Sequence, residues 1–239
     1  MKPARTAWLA AFALASVGLG TVWLASAEPQ LSPEARALVA PVHAGYVKVE
    51  ADQAMLPPPK DDRERLERMY DLDQAARVVV AKIDLSVLPL AERKVAYNVM
   101  WNEINAHDLA DQKELKEIVA RDGWITTTKF GVKASKAAFA IVQHAVNDPD
   151  LMRSTLAQLG PLAAKGEVDG TDYARMYDRV ALEFDHKPQR YGSQLGCHGG
   201  VWRPRTLEDP ERVDERRKAI GYRETEAEFL KSRVGWACN

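Results

Sequence analysis

Over most of the 239-residue chain, apolar residues return every three or four positions, the period of one helix face. From Asp61 or Asp62, either of which suits an N-cap, Leu66, Met69, Tyr70, Ala76, Val80 and Ile83 predict a helix to about Ile83. A second helical region starts at Pro89 and runs from Leu90 to Arg121, where two helices broken near "NAHD" are expected, with Gly123 as the terminal cap. "WITTTKF" reads as a short strand or extended connection. Lys133 to Val146 is apolar almost all round, which predicts a central helix. Asp148 then caps a helix that opens on Pro149 and reaches about Lys165. Thr171 to about Phe184 carries Tyr173, Met176, Tyr177, Val180 and Phe184 on one stripe. A glycine-rich stretch follows, and "EDPERVDERRKAIG" and "ETEAEFLKSRVG" read as two short capped helices. The expected fold is mainly α: a multi-helix bundle or short helical array with a Gly-rich loop and small C-terminal helices.

The first sixty residues break this pattern. Residues 1–27 have a basic start (Lys2, Arg5), an apolar run from Ala7 to Leu24 and small residues Ala25 and Ala27 before Glu28, the form of a secretory signal peptide. The alternative is an uncleaved anchor, because the run approaches the length that spans a bilayer. The expected location is therefore periplasmic or secreted, or anchored to the inner membrane by this segment alone. Residues 28–60 are proline-rich without sustained periodicity and read as a lead or linker, leaving residues 61–239 as one helical domain. Export makes Cys197 and Cys238, the only two cysteines, expected disulfide partners.

Composition narrows the partners. The formal net charge is -1, and no basic block could track a phosphate backbone, so nucleic acid is not expected. No G-x-S-x-G, P-loop or dinucleotide fingerprint is present and no cofactor is expected. His186, Cys197 and His198 lack the spacing of a metal site, and a cysteine nucleophile would have to escape pairing with Cys238.

Several polar residues sit where apolar ones are expected. Asp73 and Arg77, four apart, fall inside the apolar stripe of their helix, either as a packing ion pair or as an acid orienting a guanidinium toward a ligand. Gln143 and His144 end the most apolar helix, where the dipole favours cations and a histidine is available for acid–base work. Asp178 and Arg179 flank the stripe of a later helix. Gln189, Tyr191 and Gln194 lie among glycines that would let backbone and side chains approach a ligand closely. Asn98, Asn102 and Asn105 share one face, which reads as solvated, or as a cleft lining. The charge-rich segment around Arg217 reads as exposed.

"ERMYDLDQAAR", "DGW", "IVQHAVNDPD", "YDRV" and "QRYGSQ", in this order, resemble a bacterial domain-of-unknown-function family marked by D-Q-x-x-R, G-W, Q-H-A-x-x-D, D-R and Q-x-Y-G-T-Q. The resemblance covers about residues 65–194, with Ser193 where the family has threonine. It implies a shared domain and pocket built from Asp73, Gln74, Arg77, Trp124, Gln143, His144, Asp148, Asp178, Arg179, Gln189, Tyr191, Gly192 and Gln194, and it supplies no reaction. "CHGG" lies outside the pattern, which favours the disulfide reading of Cys197 over a nucleophile. A motif set this polar points to a cleft rather than to packing. The expectation is an exported, hydrolase-like protein acting on a small polar or anionic ligand. His144 would be the acid or base, Asp73 or Asp178 its orienting carboxylate, and Arg77 and Arg179 the anion binders. Gln74, Gln143, Gln189, Tyr191 and Gln194 would line the site. The rival expectation is a non-catalytic module that binds a ligand or protein in the same cleft, or a buried polar network that only holds the fold.

Overall fold

The computed structural model describes residues 31–234, and the expected leader and Cys238 lie outside them. The described chain is mainly α, with one two-stranded sheet. Its first element corrects the reading of residues 28–60 as a lead or linker: Pro33–Ala54 forms a helix, α1. Ser32 caps it by accepting from the Ala35 amide at 3.2 Å, and Pro33 opens it. Ala35, Val39, Val42 and Tyr46 make a buried stripe at three- and four-residue steps. This stripe was present in the sequence, but Pro41 in mid-helix and the prolines after Ala54 obscured it. Gly45 brings α1 against the next helix, since a Cβ there would sit 3.0 Å from the Ala75 carbonyl oxygen.

α2 (Asp62–Val80) is capped by Asp61, whose side chain accepts from the Glu64 amide. α3 (Leu90–Asp122) is one unbroken helix of 33 residues, about 50 Å long, rather than two. The "NAHD" segment stays helical because Ile104 and Asp108 keep the inward face continuous through it. "WITTTKF" is not a strand either: Thr126 caps a single helical turn, α4 (Thr127–Phe130). α5 (Val132–Gln143) is buried along most of its length, as its composition requires. α6 (Pro149–Ala163) is capped by Asp148 and α7 (Gly170–Arg179) by Asp169. α7 runs directly into a π-helical turn, Val180–Phe184.

The glycine-rich segment then forms a hairpin that sequence reasoning missed, β1 (Leu195–His198) antiparallel to β2 (Val201–Pro204), with Gly199 and Gly200 both at positive φ in its turn. Cys197 pairs across it with Trp202. α8 (Val213–Ala219) and α9 (Glu226–Lys231) close the fold, and α9 begins with a Thr225–Glu228 capping box. Among the described residues no helix is long and apolar enough to cross a membrane.

Two hydrophobic cores share α2 and α3. One packs α1 against them through Val42, Tyr46, Ala76, Met100 and Ile104. The other gathers Leu66, Leu115, Ile141, Met152 and Met176 from α2, α3, α5, α6 and α7. The polar residues of α2 and α5 lie where these two cores meet.

Candidate functional site

Asp73 is the hub of this polar junction. It is 1% exposed, and its carboxylate faces three partners. One oxygen lies 2.8 Å from His144 Nδ1 and 2.9 Å from Arg77 Nη1. The other accepts from Gln74 Nε2 at 2.6 Å. Burial pushes the Asp73 carboxyl up, but the His144 hydrogen bond and charge, Arg77 and Gln74 outweigh it and hold it below the usual carboxylate range. The same Arg77 Nη1 donates to the Asp73 carbonyl, while Nη2 forks onto both oxygens of Asp108 at 2.8 Å. Arg77 is thus shared between two buried carboxylates.

Asp108 and Asp111, one turn apart on α3, were not anticipated. Burial raises the Asp108 carboxyl against the opposing pull of Arg77. Asp111 is pushed up to about 7, first by burial and then by Asp73, Asp108 and Glu114, and its Oδ2 has no hydrogen-bond partner. Tyr46 reaches the same region from α1, stacked on His107 at 3.8 Å between ring centroids, and its buried hydroxyl is also unpartnered. The sequence signal for the pair was the one that flagged Asp73: acids on the inward face of an apolar helix.

His144 caps the C-terminus of α5 and is half-buried. Because Nδ1 faces a carboxylate it carries the proton there, leaving Nε2 free to accept one. Of the two carboxylates expected to orient this ring, the structure brings Asp73 to it and keeps Asp178 elsewhere. Beside His144, the half-buried Arg179 donates through Nη1 to the Gln143 carbonyl at 2.6 Å. No described carboxylate lies within ion-pair distance of it, and burial lowers the pKa of its guanidinium. The Gln143 side-chain oxygen is buried without a partner.

Two clefts meet at His144 and Arg179. The first, about 620 Å³, runs along α3, where Tyr97, Trp101, Asn98, Asn102 and Asn105 face His144. The asparagine stripe therefore lines a cleft. The second, about 460 Å³, is basic and carries Lys136, Arg175 and Arg179, with Gln74, Gln143 and Gln194 also on its wall.

The remaining expected site residues form a different structure. Asp178, fully buried, clamps the loop after the π-turn: Oδ1 accepts from the Arg190 and Tyr191 amides at 2.8 and 3.0 Å, and Oδ2 from Ser193 at 2.8 Å. Burial raises this carboxyl in spite of those donors. Gln189, also fully buried, donates to the Gln194 and Arg205 carbonyls and accepts from the Gln194 amide. Tyr191 packs edge-on against Tyr177. Gln189 and Tyr191 thus shape the loop without reaching the clefts, and Ser193 and Gln194 are the loop's contribution to the basic one. Arg217 is 1% exposed, a correction to its reading as surface charge. It donates to the Tyr191, Gly192 and Glu224 carbonyls and lies 4.4 Å from the Tyr222 ring centroid. Val213 four residues earlier faces inward too, which is the signal that could have found it.

Among the described residues no group of three or more acids, histidines or cysteines is arranged to hold a metal ion. A family model matches residues 60–233, most of the chain. The chain belongs to a family of unknown function, DUF6624. The DUF6624 span takes in α2 to α9, both clefts and the Asp178 clamp, and it leaves α1 outside. No curated protein and no solved structure matches the chain.

Proposed function

We propose that the cleft is an acid–base site, hydrolase-like, acting on a small anionic substrate. One observation carries the reading: a histidine pinned through Nδ1 by a buried carboxylate stands beside a half-buried arginine that has no carboxylate within ion-pair distance among the described residues, where two clefts meet. In this reading His144 Nε2 takes a proton from water as the water oxygen bonds to the substrate's electrophilic centre. Arg179 binds the negative oxygen there, and the proton passes from His144 to the leaving group as its bond breaks. Asp73 holds the tautomer and stabilises the imidazolium. Arg77, saturated by Asp73 and Asp108, is a positioning residue rather than an anion binder.

The test is turnover of an aryl phosphate, an aryl ester and an aryl glycoside by the chain and by His144→Gln. Loss of about a hundredfold or more in kcat with KM little changed supports catalysis. Turnover equal in both, or absent in both, would leave the non-catalytic binding module as the function.

We further propose that residues 1–27 direct export to the periplasm or beyond, or anchor the chain to the inner membrane, and that Cys197 pairs with Cys238. The basic start, apolar run and A-x-A site support the first, and an oxidising destination supports the second.

A further inference from the structure

The two clefts differ in chemistry, and they share His144 and Arg179. The basic cleft offers Lys136, Arg175 and Arg179 against one carboxylate, Asp172, which lies 3.7 Å from Arg175, so the set stays net positive and suited to an oxyanion. The other has no such excess of cations. Its wall is an aromatic pair, the exposed Tyr97 and the half-buried Trp101, with ring centroids 5.8 Å apart, beside the side-chain amides of Asn98, Asn102 and Asn105. Each amide both donates and accepts, as a sugar hydroxyl does. From Asn98 to Asn105 the row extends about 10 Å along α3, longer than the hydrogen-bonding edge of a single heterocycle. An aromatic face beside a row of amides fits a ring with an apolar CH face and hydroxyls at its rim.

We propose that the ligand is a saccharide bearing an oxyanion. The sugar lies along Tyr97, Trp101 and the asparagine row, and the phosphate or carboxylate crosses to Arg179, Arg175 and Lys136. For a sugar phosphate the bond presented to His144 is then the phosphate ester between the two parts, with the sugar hydroxyl as the leaving group that takes the proton; for a sugar acid only binding is proposed. This rests on the reading of the cleft as an anion site, and deepens it by naming the substrate class.

The experiment is calorimetric binding to the full chain carrying His144→Gln, so that turnover does not intervene. The probes are methyl phosphate, phenyl phosphate, glucuronate, and the 6-phosphates of glucose, mannose, galactose and N-acetylglucosamine. At least one sugar phosphate, or glucuronate, is expected to bind tenfold or more tighter than methyl phosphate, and the better of the two kinds identifies the anion. Tyr97→Ala and Asn102→Ala, both at exposed positions, should abolish that gain and leave methyl phosphate binding unchanged, whereas Arg175→Ala should weaken every probe by a similar factor. If no sugar improves on methyl phosphate, or if phenyl phosphate binds tightest, the saccharide assignment is overturned while the anion site stands. If methyl phosphate itself fails to bind, and no sugar acid binds, the anion site falls as well.

Discussion

Asp111 gives the polar junction a measurable signature. It is 6% exposed, Oδ2 has no partner, and burial followed by Asp73, Asp108 and Glu114 pushes its carboxyl from an ordinary 3.8 to about 7. The folded chain therefore holds this proton more tightly than the unfolded chain does. The resulting stability is fully present below about pH 4 and is lost as the pH rises through about 7. At about 1.4 kcal/mol for each pH unit separating the two values, the loss by pH 8 reaches about 4 kcal/mol. Asp111→Asn keeps the shape of the neutral carboxyl at every pH and carries no charge. Wild type and variant should therefore unfold alike at pH 4, within about 1 kcal/mol, and diverge above pH 6. At pH 8 the variant should be more stable, by up to about 4 kcal/mol, or roughly 8 to 16 °C in Tm for a domain of this size. Thermal unfolding followed by circular dichroism at pH 4, 6 and 8 measures this. A difference that does not change with pH, or a variant less stable at pH 8, would refute the account of a carboxyl kept neutral by its surroundings.

Other perturbations follow from the same contacts. Arg77→Ala leaves Asp73 and Asp108 buried without their cation and should cost about 3 to 5 kcal/mol in denaturant unfolding. Arg179→Met removes a guanidinium that has no carboxylate within ion-pair distance among the described residues, so Tm should hold or rise while phosphate affinity measured by calorimetry falls tenfold or more. Asp178→Ala strips three loop amides of their acceptor and should cost about 3 kcal/mol, read as a lowered denaturant midpoint. Gly170→Ala would place a Cβ 1.7 Å from the Ile220 carbonyl oxygen, so α7 and the segment after α8 must separate, with a loss of several kcal/mol and early proteolysis of the C-terminal region.

α2, α6 and α9 were legible because each combines a cap with a stripe: Asp61 ahead of Leu66, Asp148 ahead of Pro149, Thr225 with Glu228. α1 was hidden because the prolines around its stripe outweighed four buried residues, and the hairpin because two glycines masked four-residue strands. In the site, local spacing revealed Asp73 with Arg77 and marked His144. It could not say which carboxylate the histidine meets, since that partner lies 71 residues away on another helix. Polar motif residues divide in space into two groups, one around His144 and one around Asp178, and a linear pattern carries no sign of that division. Asn98, Asn102 and Asn105 show the converse: their spacing gave the shared face, but only the packing of α3 opposite α5 and α7 turns that face into a cleft.

The position of Asp178, immediately before Arg179, bears on time as well as on shape. Its carboxylate fastens the loop after the π-turn to the helix that carries the cleft arginine, through three amide hydrogens. The amides of Arg190, Tyr191 and Ser193 should accordingly exchange with solvent as slowly as those of a helix, although the segment has no ladder of its own. A wall held this way has no slow opening step, so ligand association should follow concentration in a single phase rather than wait on a gate.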